Sequence, residues 1–87
     1  MKKQEFVRWV SQYENSIAYW KVEIEELSEG ECTIGCYYSD EKKSWIVYLN
    51  DDRGKHRVRL ETENEEKAYD KLKSMVETQV ENSKGYI

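Results

Sequence analysis

The stretch Ser44–Leu60, SWIVYLNDDRGKHRVRL, decides how this chain is read. Trp45, Val47 and Leu49 alternate with Ile46 and Tyr48, the period of two that sends neighbouring side chains to opposite faces of a strand. Asn50-Asp51-Asp52-Arg53-Gly54 is dense in turn formers, and Gly54 suits a left-handed backbone position. His56 to Leu60 then returns as a second strand through Val58 and Leu60. The stretch is a β-hairpin with an acidic turn and a basic return strand.

Toward the N-terminus, Phe6, Trp9, Val10, Tyr13 and Ile17 recur at helical spacing, with Lys2, Lys3, Glu5, Arg8 and Gln12 opposite them. This predicts an amphipathic helix over about residues 2–15. From Ala18 the period changes to two, with Ala18, Trp20, Val22 and Ile24 against Tyr19, Lys21, Glu23 and Glu25. Ser28-Glu29-Gly30-Glu31 supplies a glycine where a hairpin needs positive φ, and Cys32 to Tyr38 alternates again, with Cys32, Ile34, Cys36 and Tyr38 facing inward. Ser39–Ser44 is a charged connector. Beyond the central hairpin, Thr62-Glu63-Asn64-Glu65 fits a capping box. Ala68, Leu72, Met75, Val76, Gln79 and Val80 continue it as a helix to about Glu81, before Asn82-Ser83-Lys84-Gly85 ends it.

The element order is α-β-β-β-β-α, an α+β fold within a single domain, residues 1–87. Short links between successive strands imply a four-stranded antiparallel meander. Both terminal helices are expected on one face, that of Trp20, Val22, Ile34, Cys36, Val47 and Val58. The other face, with Tyr19, Glu23, Glu25, Tyr37, Ile46, Tyr48, Arg57 and Arg59, is expected to stay open.

At 87 residues, the chain buries only about 60 to 65% of the surface it exposes when unfolded. Three Trp, seven Tyr and one Phe compensate, since each aromatic buries on the order of 150 to 250 Å². No apolar run approaches the ~20 residues of a membrane span, and Glu5 and Arg8 interrupt any leader-like core, so a cytoplasmic protein is expected. Cys32 and Cys36, on one strand, would hold their Cα atoms about 13 Å apart, beyond the ~7 Å limit of a disulfide. They read as buried thiols, and with His56 the single histidine no zinc site is expected. The net charge is −4, with the ends acidic and the middle mildly basic, the opposite balance to that of a whole-domain nucleic-acid binder.

Catalytic chemistry has few candidates. His56, amid Lys55, Arg57 and Arg59, is the one side chain suited to act as a base toward a phosphodiester, and Asp51, Asp52 or Glu61 would have to partner it. No phosphate-binding glycine loop, zinc-binding H-E-x-x-H or nucleophile elbow is present. The expectation is a non-enzymatic binding protein without cofactor or metal. Its partner surface is assigned to Tyr19, Glu23, Glu25, Tyr37, Tyr48, Asp51 and Asp52, aromatics and acids that suit a basic protein. The alternative is an RNA or single-stranded nucleic-acid surface on Arg53, Lys55, Arg57 and Arg59, with Tyr37 and Tyr48 as stacking platforms. A monomer or a weak homodimer by strand addition is expected.

Trp45-Ile46-Val47-Tyr48, Asp51-Asp52-Arg53-Gly54 and the acidic helix start Glu63–Ala68 followed by Tyr69 resemble the W-x-V-Y strand, D/E-R-G turn and E-x-x-A helix of small immunity proteins of bacterial polymorphic toxin systems. The resemblance covers about residues 34–76. It implies a cytoplasmic protein that binds and neutralises one cognate toxin, such as a nuclease, without catalysis of its own. Those families vary most at the toxin-binding surface, so the resemblance assigns no contact residue.

Overall fold

The computed structural model describes residues 1–13 and 20–84. Helix α1 (Lys3–Val10) runs into a 3-10 turn (Ser11–Tyr13), followed by strands β1 (Lys21–Ile24), β2 (Thr33–Ser39), β3 (Ser44–Asn50) and β4 (His56–Thr62) and helix α2 (Glu65–Lys84). The α+β class is as the alternation of periods predicts. The first helix tightens before its expected end, because the Ser11 hydroxyl donates to the Arg8 carbonyl at 2.8 Å and competes with the helical ladder. Its expected residues 14–15, together with Ile17, Ala18 and Tyr19, lie outside the described residues.

The sheet order is β1-β2-β3-β4, but the sheet is mixed. β2, β3 and β4 pair antiparallel as expected, whereas β1 runs parallel to β2, with Val22 beside Ile34 and Ile24 beside Cys36. The predicted Ser28–Glu31 hairpin is therefore corrected to a crossover, Glu25–Cys32. Positive φ falls at its two ends, Glu25 (65°) and Cys32 (52°), and not at Gly30. Backbone bonds from Lys21 N to Cys32 O and from Glu25 N to Cys36 O bracket the parallel ladder at 2.9 and 2.8 Å. Gly54 does take the expected left-handed conformation, at φ 78°.

A second correction lies in β4. Val47 pairs with Leu60 but Tyr48 pairs with Val58, so Arg59 is an extra, bulged residue. The bulge reverses the faces before it. Val58 joins Tyr48 on the reverse face and is 51% exposed, rather than entering the core, while Arg57 falls beside Leu49 on the helix side.

Both helices cover one face, as expected. Phe6 from α1 and Ala68, Tyr69, Leu72, Met75, Val76 and Val80 from α2 form one core with Ile34, Cys36 and Val47 of the sheet. Tyr38, expected inside, is exposed and leans on Trp45 near the strand end. Tyr69, outside the stripe read from the sequence, is central: it packs against Phe6 and Trp45 with ring centroids 5.6 and 6.1 Å away. Its hydroxyl is buried near the Cys36 thiol without a hydrogen bond of ordinary geometry. Burial raises that thiol to about 11.

The cap of α2 also differs. Asn64 Oδ1 accepts from Lys67 N, three residues on, at 3.1 Å, whereas Thr62 Oγ1 accepts from Asn64 N. Asn64 is thus the N-cap, and Thr62, still paired with Trp45 in the sheet, shapes the turn leading to it. The helix continues to Lys84, past its expected end near Glu81.

Candidate functional site

The reverse face of the sheet is closed over its centre by the crossover, and the closure is built from three residues. Gly35 on β2 lies beside Tyr48 on β3, and a Cβ at Gly35 would fall 2.5 Å from the Tyr48 hydroxyl. The phenol therefore crosses β2 where only a glycine leaves room for it. Past Gly35, the Tyr48 hydroxyl donates to Glu26 O at 2.8 Å and accepts from Ser28 N at 2.9 Å. Asn50, two residues on and thus on the same face, donates its two Nδ2 hydrogens to Ser28 O and Gly30 O at 2.8 and 2.9 Å. Four hydrogen bonds from two β3 side chains fasten the crossover to the sheet. Buried amide and hydroxyl groups are satisfied by the segment they hold.

This overturns the open face proposed around Tyr48, which is 0% exposed. Burial raises its phenol above the ordinary range, and Tyr37 packs edge-on against it at 5.9 Å. Tyr37 and Glu23 are half-buried, so neither projects as a free contact. Tyr19 lies outside the described residues. Glu25 is exposed but pairs with Lys3 Nζ at 2.6 Å. The bulge also separates Arg57 and Arg59, which no longer form a pair on the reverse face, although Arg53, Lys55, Arg57 and Arg59 are all exposed. With Tyr48 buried and Tyr37 packed against it, the stacking platforms expected beside those cations do not form.

Asp51 and Asp52, in contrast, join a larger acidic surface. Cys32 N donates to Asp51 O at 3.1 Å, and the charges of Asp52, Glu31 and Asp51 all bear on the Cys32 thiol, which burial above all pushes up. Asp51 Oδ1 accepts from Arg53 N and Lys55 N at 2.9 Å each, and these bonds hold its carboxyl below the usual range. Along the crossover, Glu25, Glu26, Glu29 and Glu31 are exposed around Leu27, itself 53% exposed.

His56 closes the far end. Its Nδ1 lies 2.8 Å from Asn50 Oδ1, and its ring stands 5.2 Å from that of Tyr48. Among the described residues its Nε2 makes no hydrogen bond, and no group of three or more His, Cys, Asp or Glu could hold a metal ion. No helix among them is long and apolar enough to cross a membrane.

Asn50, Ser28 and Leu27 are not among the site residues that the sequence suggests. One signal was available for this arrangement: Gly35 stands alone inside a strand pattern, which marks a bulge or a close approach. Compared with known proteins, the chain matches no family model, no curated protein and no solved structure.

Proposed function

We propose that this protein is a non-enzymatic binding module that docks a basic protein partner on its acidic crossover, the role of a toxin-neutralising immunity protein. The observation that carries this reading is the fastened crossover. Glu26, Glu29 and Glu31 stand exposed on a segment tied down by Tyr48 and Asn50, and Asp51 and Asp52 adjoin Glu31. Charges held on an ordered backbone lose little further freedom on association. Such a surface steers a cationic partner, with association rates toward 10⁸ M⁻¹s⁻¹ at low salt. The resemblance of residues 34–76 to immunity proteins points the same way.

The test is stopped-flow association with the product of a toxin-domain reading frame adjacent to this gene. Glu31→Lys combined with Asp52→Lys is expected to slow association about tenfold or more at low salt and to flatten its salt dependence. An unchanged association rate refutes the acidic crossover as the docking surface. Salt-sensitive oligonucleotide binding that depends on Arg57 and Arg59 would replace this reading with the nucleic-acid one.

A further inference from the structure

Where the crossover meets the β3–β4 turn, Leu27, Ser28, Glu29, Asn50, Gly54 and His56 line a depression of about 370 Å³. Several of its donors are already committed. Ser28 N–H is spent on Tyr48, both Nδ2 hydrogens of Asn50 on crossover carbonyls, and Gly54 N–H on Asp51 O. Because Asn50 Nδ2 is committed, the atom it turns to His56 is Oδ1, an acceptor. His56 Nδ1 therefore carries a hydrogen, and in the Nδ1–H tautomer Nε2 is the acceptor.

Glu29 adds a carboxylate with no ion pair or hydrogen bond among the described residues. Leu27 adds an apolar wall. Of the neighbouring cations, Arg57 belongs to the opposite face of the sheet, and the charges of both Arg57 and Lys55 bear on Asp51. What these leave toward a ligand are the Glu29 carboxylate, His56 Nε2 and the Leu27 hydrocarbon, beside a Ser28 hydroxyl that accepts from Gly30 N and keeps its own hydrogen.

We infer that this depression receives the end of a single lysine or arginine side chain of the partner. The cationic donors face His56 Nε2 and the Glu29 carboxylate, and the methylene stem lies along Leu27. The inference deepens the docking reading and rests on it for the source of that side chain. An aliphatic stem with a donor-only head is the complement of such a wall. A pocket filled by one basic anchor is the form in which a few residues dominate binding.

The test titrates ¹⁵N-labelled protein with butylguanidinium and, in parallel, with neutral butylurea of similar shape. The cation is expected to give saturable shifts at the Leu27, Ser28, Glu29 and His56 amides, and butylurea to leave them in place. Glu29→Gln should raise the dissociation constant about two- to fivefold, the range of a solvent-exposed charge pair. Equal shifts with butylurea overturn the inference, as do cation shifts gathered at Glu31, Asp51 and Asp52 that miss Leu27 and His56. This titration needs no partner protein. Its failure leaves the acidic docking reading standing, whereas an unaffected association rate in Glu31→Lys/Asp52→Lys removes that reading while localised cation binding survives.

Discussion

Gly35→Ala separates local propensity from tertiary packing, because the two predict opposite signs. A glycine inside a strand costs roughly 0.5–1 kcal/mol relative to alanine, so propensity alone predicts a gain. The structure predicts a loss. The new methyl would lie 2.5 Å from the Tyr48 hydroxyl, 2.7 Å from its Cζ and 2.8 Å from Glu23 O, where carbon contacts settle near 3.5–4.0 Å. Neither neighbour yields easily. Glu23 O belongs to the β1 backbone, and the phenol is held by Glu26 O, Ser28 N and the flanking Tyr37 and His56 rings.

Overpacking of this kind costs about 1–3 kcal/mol. Displacing the phenol also breaks two hydrogen bonds at about 0.5–1.5 kcal/mol each. A total near 4 kcal/mol follows, a large share of the ~4–13 kcal/mol available to a domain of 87 residues. Urea unfolding followed by tryptophan fluorescence measures the loss, and hydrogen exchange at the Ser28 amide reports whether the crossover has come free. In a Tyr48→Phe background, Gly35→Ala should cost about 1 kcal/mol less, since the atom in closest conflict is gone while Cζ and Glu23 O remain. A Gly35→Ala protein within 1 kcal/mol of the parent, or strictly additive effects, would refute the packing of Tyr48 over Gly35.

Asn50→Ala removes two hydrogen bonds to part-buried crossover carbonyls and should cost about 1–3 kcal/mol in urea unfolding, with Gly30 and Ser28 exchanging faster. Asn64→Ala should cost about 1 kcal/mol and Thr62→Ala less, the reverse of what a cap at Thr62 requires; paired chemical denaturation curves decide it. For pH, Cys36 is the informative group. Its folded pKa of about 11 stands above the ordinary 9.0, so the folded state keeps a proton that the unfolded chain gives up. The stabilisation is complete below pH 9 and is lost as pH rises toward 11. It amounts to roughly 2–3 kcal/mol. Tyr48 and Tyr69, both raised by burial, act in the same direction from about pH 10 upward. Unfolding midpoints that fall between pH 9 and 11, and fall less steeply in Cys36→Ala, are expected; a flat profile would contradict the burial of the thiol.

The candidate site was only partly legible in the chain. The acidic turn marks Asp51 and Asp52 as contact residues, and they lie with Glu31 on an acidic surface. Alternation assigns Tyr48 to the face away from the helices, which is correct, but carries no information about what lies over that face. The acidic crossover reaches Tyr48 from 20 and 22 residues away. Its carbonyls and amide, not its side chains, make the contact, and backbone groups leave no mark on a sequence. Alternation puts Arg57 and Val58 on the wrong faces for a related reason. A single bulged residue inverts the pattern, and nothing in HRVRL distinguishes a bulged strand from a regular one.

Hydrophobic period determined the number, order and type of elements, and one glycine set the left-handed turn between β3 and β4, because these depend on residues close together in the chain. The direction in which β1 joins the sheet depended on the tertiary structure. On local grounds a short polar link containing a glycine favours a hairpin, yet here it is a crossover. The choice fell to Tyr48 and Asn50, polar side chains whose hydrogen bonds fasten a strap across the face, where a bare sheet would leave them to water.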